Sequence, residues 1–262
     1  MAIRFHPHAR ERMKMSAIFT LLLMFMACGS AYAWYSVDYY QSDGNPFSEE
    51  FTKDYHAAQE ESGLPESLVR FTEMLTKYKK PQEQAEIEMT LGMIYNQRTG
   101  LVDYSKAVEH FGRALDFDLP PTVLVDVHLL RGNSYEVLKQ TQDALTEYLR
   151  GISVCLRYDL PAEMPEPPVV GMFNYDGPTN DPIYLQMIEE HRKQMEHWKQ
   201  VMFQRKMLMV RYYLIDATKR VTNILQLDEN QIRKTAEPIL KDDKQIQEFI
   251  VLITSPNKRP WK

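Results

Sequence analysis

Residues 91–114 read LGMIYNQRTGLVDYSKAVEHFGRA and residues 132–151 read GNSYEVLKQTQDALTEYLRG, and the two stretches share a skeleton. The first sets out Leu91, Gly92 and Tyr95, then Asp103 to Ala107, Phe111 and Ala114, with Pro120 closing it. The second sets out Gly132, Asn133, Tyr135, Ala144, Tyr148 and Gly151. Small residues recur where two helices must cross closely, and aromatic rings fill the space beside them. Tyr95 and Ala107 are twelve positions apart, Tyr135 and Ala144 nine. The first copy therefore carries about three extra residues within 97–102, which a loop absorbs at small entropic cost.

This skeleton resembles the tetratricopeptide repeat, in which a helix A carrying Leu-Gly-x-x-Tyr packs on a helix B carrying Ala-x-x-x-aromatic-x-x-Ala. The nine-position step of the second copy is the family's own. The likeness covers roughly residues 85–158 and implies an all-α fold, a short solenoid of stacked helix pairs, with a binding role. In the family, partners lie in the concave groove lined by helix A, at the second, fifth, ninth, twelfth and thirteenth repeat positions. Carried over from Ala85, these positions are Glu86, Met89, Met93, Asn96 and Gln97; from Val125 they are Asp126, Leu129, Asn133, Glu136 and Val137. Some members grip a peptide's terminal carboxylate there with Lys, Arg and Asn. Only Asn133 fits that role here, so the resemblance implies an apolar or basic segment as occupant. Against this stands an internal occupant, the long basic helix predicted after Pro182.

The N-terminal residues read as an export signal. Arg10, Arg12 and Lys14 precede an apolar run from Ala17 to Ala27, and Ala31-Tyr32-Ala33 offers a cleavage site, so 1–33 is expected to be a signal peptide. Lipid attachment at Cys28 is the alternative; Phe25 stands where that signal wants Leu. Cleavage after Ala33 leaves Cys155 as the lone thiol, so no internal disulfide is expected. The export signal, in a sequence with no Asn-x-Ser/Thr acceptor, points to a periplasmic or secreted protein of bacterial type. The apolar run is too short to span a bilayer, and no later stretch is longer, so no membrane span is predicted in the mature chain.

Charge divides the molecule. Residues 34–182 carry 12 Lys/Arg against 25 Asp/Glu, and residues 183–262 carry 15 against 10. An acidic repeat half repels phosphate, which argues against nucleic acid as a partner. The basic tail either packs on the acidic half or faces an anionic surface or acidic partner.

Helical periodicity organises the rest. After an aromatic lead-in at 34–47, helices are predicted over Phe47 to Glu60 and Glu66 to Lys79, the second with Leu68, Thr72, Leu75 and Tyr78 on one face, and together they read as a worn capping repeat within a repeat domain spanning 48–158. Helix A of the first clear pair runs from Pro81 to Asn96 and its helix B from Tyr104 to Leu115; the second pair runs from Pro121 to Val137 and from Gln142 to Leu156. A connecting loop at 159–182 holds six prolines, yet Val169, Val170, Met172, Phe173 and Tyr175 suggest that it packs back. From Pro182 the pattern stays helical to about Leu227 without proline or glycine, and Tyr184, Ile188, His191, Met195, Trp198 and Met202 form one apolar stripe. Asp228 and Gln231 read as a capping pair, Pro238 as a stop, and Ile246, Phe249, Ile250 and Ile253 as the face of a last helix in the C-terminal region 183–262.

Catalytic motifs are missing from the sequence. There is no Gly-x-Ser-x-Gly, His-Glu-x-x-His, phosphate-cradling Gly loop or dinucleotide fingerprint, and Asp116 and Asp118 diverge at a helix end. No enzyme, cofactor or metal is expected. A minor alternative is Cu(I) held by Met187, His191 and Met195, whose spacing of four places soft ligands on one helix face; the competing reading is a core stripe filled by methionine. The expected function is a non-catalytic scaffold or adaptor that binds a protein or peptide, with a homodimer through residues 183–227 as the structural alternative.

Overall fold

The computed structural model describes residues 46–60, 63–96, 101–167, 182–240, 242–256 and 259–260. Among them the chain is all-α, with nine helices and no strand. In chain order these are α1 (Glu49–Gln59), α2 (Leu64–Lys77), α3 (Pro81–Asn96), α4 (Tyr104–Ala114), α5 (Pro121–Val137), α6 (Thr141–Cys155), α7 (Pro182–Ile224), α8 (Glu229–Leu240) and α9 (Asp243–Thr254). They fall into two compact units, Met1–Val102 and Asp103–Lys262. The boundary lies inside the first of the two expected helix pairs, between α3 and α4. The expected signal at 1–33 lies outside the described residues, as do Gln97 and the apolar middle of the proline-rich loop. Of the lead-in, 46 and 47 are described, and Phe47 is buried.

The first unit has an aromatic interior. Phe47 stacks on Phe51 at 5.1 Å, and Phe51 meets the edge of Tyr78 at 5.1 Å while Tyr55 meets Phe71 at 5.2 Å. Ile87, Leu91 and Ile94 of α3 complete this core. Ser48 caps α1 by accepting from the Phe51 N–H, and the buried Glu83 fixes that cap from α3, accepting from the Ser48 N–H at 3.0 Å and its hydroxyl at 2.8 Å. The inward face of α2 is offset from expectation. Ser67, Phe71, Met74 and Tyr78 are buried, Leu68 and Leu75 pack partly, and Thr72 is exposed, because the ring of Phe71 offers more apolar area than the neighbouring threonine.

Successive packing builds the second unit: α4 on α5, α5 on α6, α6 on α7, with α8 and α9 closing the far side of α6 and α7. Its core is mostly aliphatic, with Leu145, Leu149, Ile152, Met207, Val210, Leu214 and Val221 fully or almost fully buried beside the rings of Tyr148 and Phe249. The turn from α5 to α6 is tight because Lys139 takes a left-handed φ of 62°, which lets the Gln140 N–H reach back to the Tyr135 carbonyl at 2.9 Å. One continuous helix of 43 residues, about 65 Å long, follows the proline-rich loop. Asp228 and Gln231 exchange the two hydrogen bonds of a capping pair, each 2.8 Å. Pro238 does not stop α8, which runs on to Leu240. A proline this near a C-terminus forfeits one backbone bond, and burial of Leu240 in the core offsets that cost. The expected face of α9, Ile246, Phe249, Ile250 and Ile253, is buried in full.

Candidate functional site

In the α5–α6 hairpin, a Cβ on Gly132 would collide with the ring of the fully buried Tyr148. Only glycine lets that ring lie on the α5 backbone. Ala144, at the α6 end of the same interface, is also fully buried. The approach at Gly151, a turn further along α6, is less tight: a Cβ there would stand 2.9 Å from the Leu214 methyls of α7, the far ends of a side chain that can turn aside. Thus the small residues of the second copy set two successive close approaches, α5 to α6 and α6 to α7.

Tyr148 reaches through this crossing with its hydroxyl 2.8 Å from Asn133 Oδ1 and 2.7 Å from Glu136 Oε2. Arg220 of α7 closes on the same Glu136 with a two-pronged contact, Nε and Nη2 each at 2.8 Å. Burial pushes the Glu136 carboxyl up, but Arg220 and Tyr148 outweigh it and the net direction is down. Further along α5, Asp126 pairs with Lys206 of α7 at 2.7 Å, both side chains being about 15% exposed. There burial wins: the Asp126 carboxyl is raised although Lys206 opposes the shift.

The ten positions carried over from the repeat resemblance therefore have these surroundings. Glu86 is buried and accepts from the Tyr55 hydroxyl at 2.9 Å; Met89 and Met93 are buried; Asn96 is partly exposed. Asp126, Asn133 and Glu136 hold the contacts just given, Leu129 packs partly on the core, and Val137 is 49% exposed. The first set belongs to one compact unit and the second to the other. Within the second pair, α7 supplies the cations that meet two of the five positions, as an internal occupant would.

The opposite face of α5 is different. Asp126, Asn133 and Glu136 cluster within a quarter turn of each other, and Leu124, His128 and Arg131 lie about half a turn away. The latter line a cleft of about 640 Å³, completed by Glu109, Arg113 and Asp116 from α4 and its following turn and by Arg150 from α6. Beneath them Glu147, 3% exposed, accepts from Arg150 at 2.7 Å and from Arg131 at 3.4 Å. His128 Nδ1 stands 2.8 Å from the other Glu147 oxygen. Burial pushes Glu147 up, but the histidine and the two arginines prevail and the carboxyl is held below its usual range. Sequence reasoning did not single out this cluster. Its one local sign was the three-residue step from Glu147 to Arg150, which a helix turns into a pair.

The methionine and histidine of the copper alternative lie on one face of α7, each partly exposed. Among the described residues no group of three or more His, Cys, Asp or Glu is placed to hold a metal ion. Cys155 is buried, and burial pushes its thiol up to about 12, far from the range of a reactive thiolate. None of the described helices is long and apolar enough to cross a membrane. No protein-family model, curated protein or solved structure matches this chain.

Proposed function

We propose that this protein is an exported, non-catalytic scaffold of the bacterial envelope or secreted space, built on a tetratricopeptide-like stack, that holds another polypeptide. The observation that carries the reading is the interlock of Gly132 with Tyr148, repeated by Gly151 with Leu214. Close approach at regular intervals makes successive helices lie side by side, and such a stack presents long grooves instead of one enclosed reaction chamber. The test is photo-cross-linking in the native cell from a reactive residue placed at Val137 or at Glu109, both exposed. A defined set of attached chains is expected from at least one position. Attachment no different from that at Val251, exposed on α9, defeats the proposal.

A second reading, dimerisation through α7, has its own support. Burial along α7 begins at Val201, and none of the described side chains from 184 to 200 is buried; Leu185 and Ile188 are 56% and 41% exposed. Light scattering separates the two readings. A dimer that Leu185→Glu/Ile188→Glu converts to monomer favours dimerisation, and a monomer at all concentrations removes it.

A further inference from the structure

The cleft on the second face of α5 holds chemistry that neither the core nor the ion pairs to α7 use. From Asp103 to Tyr158 the lysines and arginines are Lys106, Arg113, Arg131, Lys139, Arg150 and Arg157. Three of them, Arg113, Arg131 and Arg150, line this one cleft. Half of the cations of this stretch, which carries eight acids, are thus gathered in one place.

At the floor the charges do not balance. Arg131 and Arg150 share the single carboxylate of Glu147, which leaves one positive charge over even with His128 neutral. Hydrogen bonding is still more one-sided. A guanidinium carries five N–H groups and accepts nothing. Arg131, 20% exposed, donates one long bond of 3.4 Å to Glu147, lies 5.5 Å from the Tyr135 ring centre, and has its Nε buried with no acceptor among the described residues. Arg150 is half-exposed and gives Glu147 one N–H at 2.7 Å. The buried Nε is out of a ligand's reach, and the N–H groups that the two partly exposed guanidiniums still offer match an oxyanion. The rim narrows the choice. Glu109 and Asp116, both exposed, flank the entrance; they repel a run of acids and favour a cation beside the bound one.

We propose that this cleft receives one carboxylate side chain, flanked by basic residues, from a partner polypeptide. Arg131 and Arg150 hold the carboxylate, and Glu109 and Asp116 hold the flanking cations. The proposal rests on the scaffold reading and adds the partner's chemistry and its place of binding, on the side of α5 turned away from α7.

The test is fluorescence anisotropy with the full chain and an end-blocked, labelled Ala-Lys-Glu-Lys-Ala peptide. Its versions with Gln in place of Glu, and with Glu in place of both Lys, are the comparisons. Expected are at least tenfold tighter binding of the first peptide than of either version, a tenfold or greater loss in Arg131→Gln and in Arg150→Gln, and no loss in Arg192→Gln on α7. Arg150 is exposed enough that its variant tests the cleft should Arg131→Gln fail to fold. Equal binding of the Glu and Gln peptides, or undiminished binding to Arg150→Gln, overturns the proposal. Displacement of the label by succinate at concentrations no higher than by unlabelled peptide also overturns it, in favour of a small diacid. Chains that cross-link in the cell equally to wild type and Arg150→Gln leave the scaffold standing and refute the cleft; peptide binding without any attached chain does the reverse.

Discussion

The two faces of α5 treat charge in opposite ways. Towards α7, Asp126 meets Lys206 at 2.7 Å and Glu136 meets both prongs of Arg220 at 2.8 Å, so each acid on that face has its own cation. Towards α4 and α6, Arg131 has one long bond and Arg150 one short bond to a carboxylate they must share. One face is complete as it stands, and the other keeps donors in reserve. Arg220 also lies 3.5 Å from Asp216, and the cleft with its floor carries three arginines and three acids, so the two faces differ in how many N–H donors their cations leave unused and not in net charge.

Perturbing the α7 side of this comparison should give the largest stability effects. Leu214, fully buried against Gly151, seats α7 on α6; Leu214→Ala is expected to cost about 3–4 kcal/mol through its cavity, measured as a shift of the urea midpoint at constant slope. Next comes Lys206→Met, which strands a nearly buried Asp126 and should cost about 2–3 kcal/mol, while Asp126→Leu/Lys206→Met should recover most of that loss. Failure of the double variant to recover would mean that the pair itself, and not the stranded acid, sets the cost. On the cleft side, Arg150→Gln should change stability by less than about 1 kcal/mol. A larger loss there would show that the arginine serves the fold, which would collapse the distinction between the faces.

Smallest and most specific is the dependence on acid. Glu136 is held below its ordinary value of 4.5 in the folded chain, so the unfolded chain binds its proton first as pH falls. The stability it contributes is present above about pH 4.5 and is lost as pH drops through the lower folded value. Asp126, raised above its ordinary 3.8, acts with the opposite sign, its ionisation on rising pH weakening the fold. Glu136→Gln should therefore flatten the acid limb of a stability profile taken by urea titration at successive pH values, and an unchanged limb would mean that Arg220 does not hold this carboxylate in solution.

Much of this architecture is legible in the residues alone. Pro81, Pro121 and Pro182 mark helix starts that the structure keeps, and Gly132 and Gly151 point to close crossings that it contains. The inward face of α2 departs from the expected stripe because period alone does not say which of two overlapping stripes carries the larger rings. Pro238 lies inside α8 instead of ending it because a terminal turn tolerates a lost N–H that a helix interior does not. Excess cations in the tail and excess acids in the repeat half announce that some pairing is available, yet Asp126 and Lys206 stand 80 positions apart and nothing local couples them.

By itself the sequence determined what repeats along one chain: helix lengths, caps, turns and the small residues that allow contact, because each depends on neighbours within a few positions. Tertiary structure alone decided which charges meet between helices, as Asp126 with Lys206 and Glu136 with Arg220. Electrostatic and hydrogen-bond partners across helices are chosen by distance in space, and α5 had to lie against α6 before Arg131 joined Arg150 on Glu147 with more donors than that carboxylate can accept.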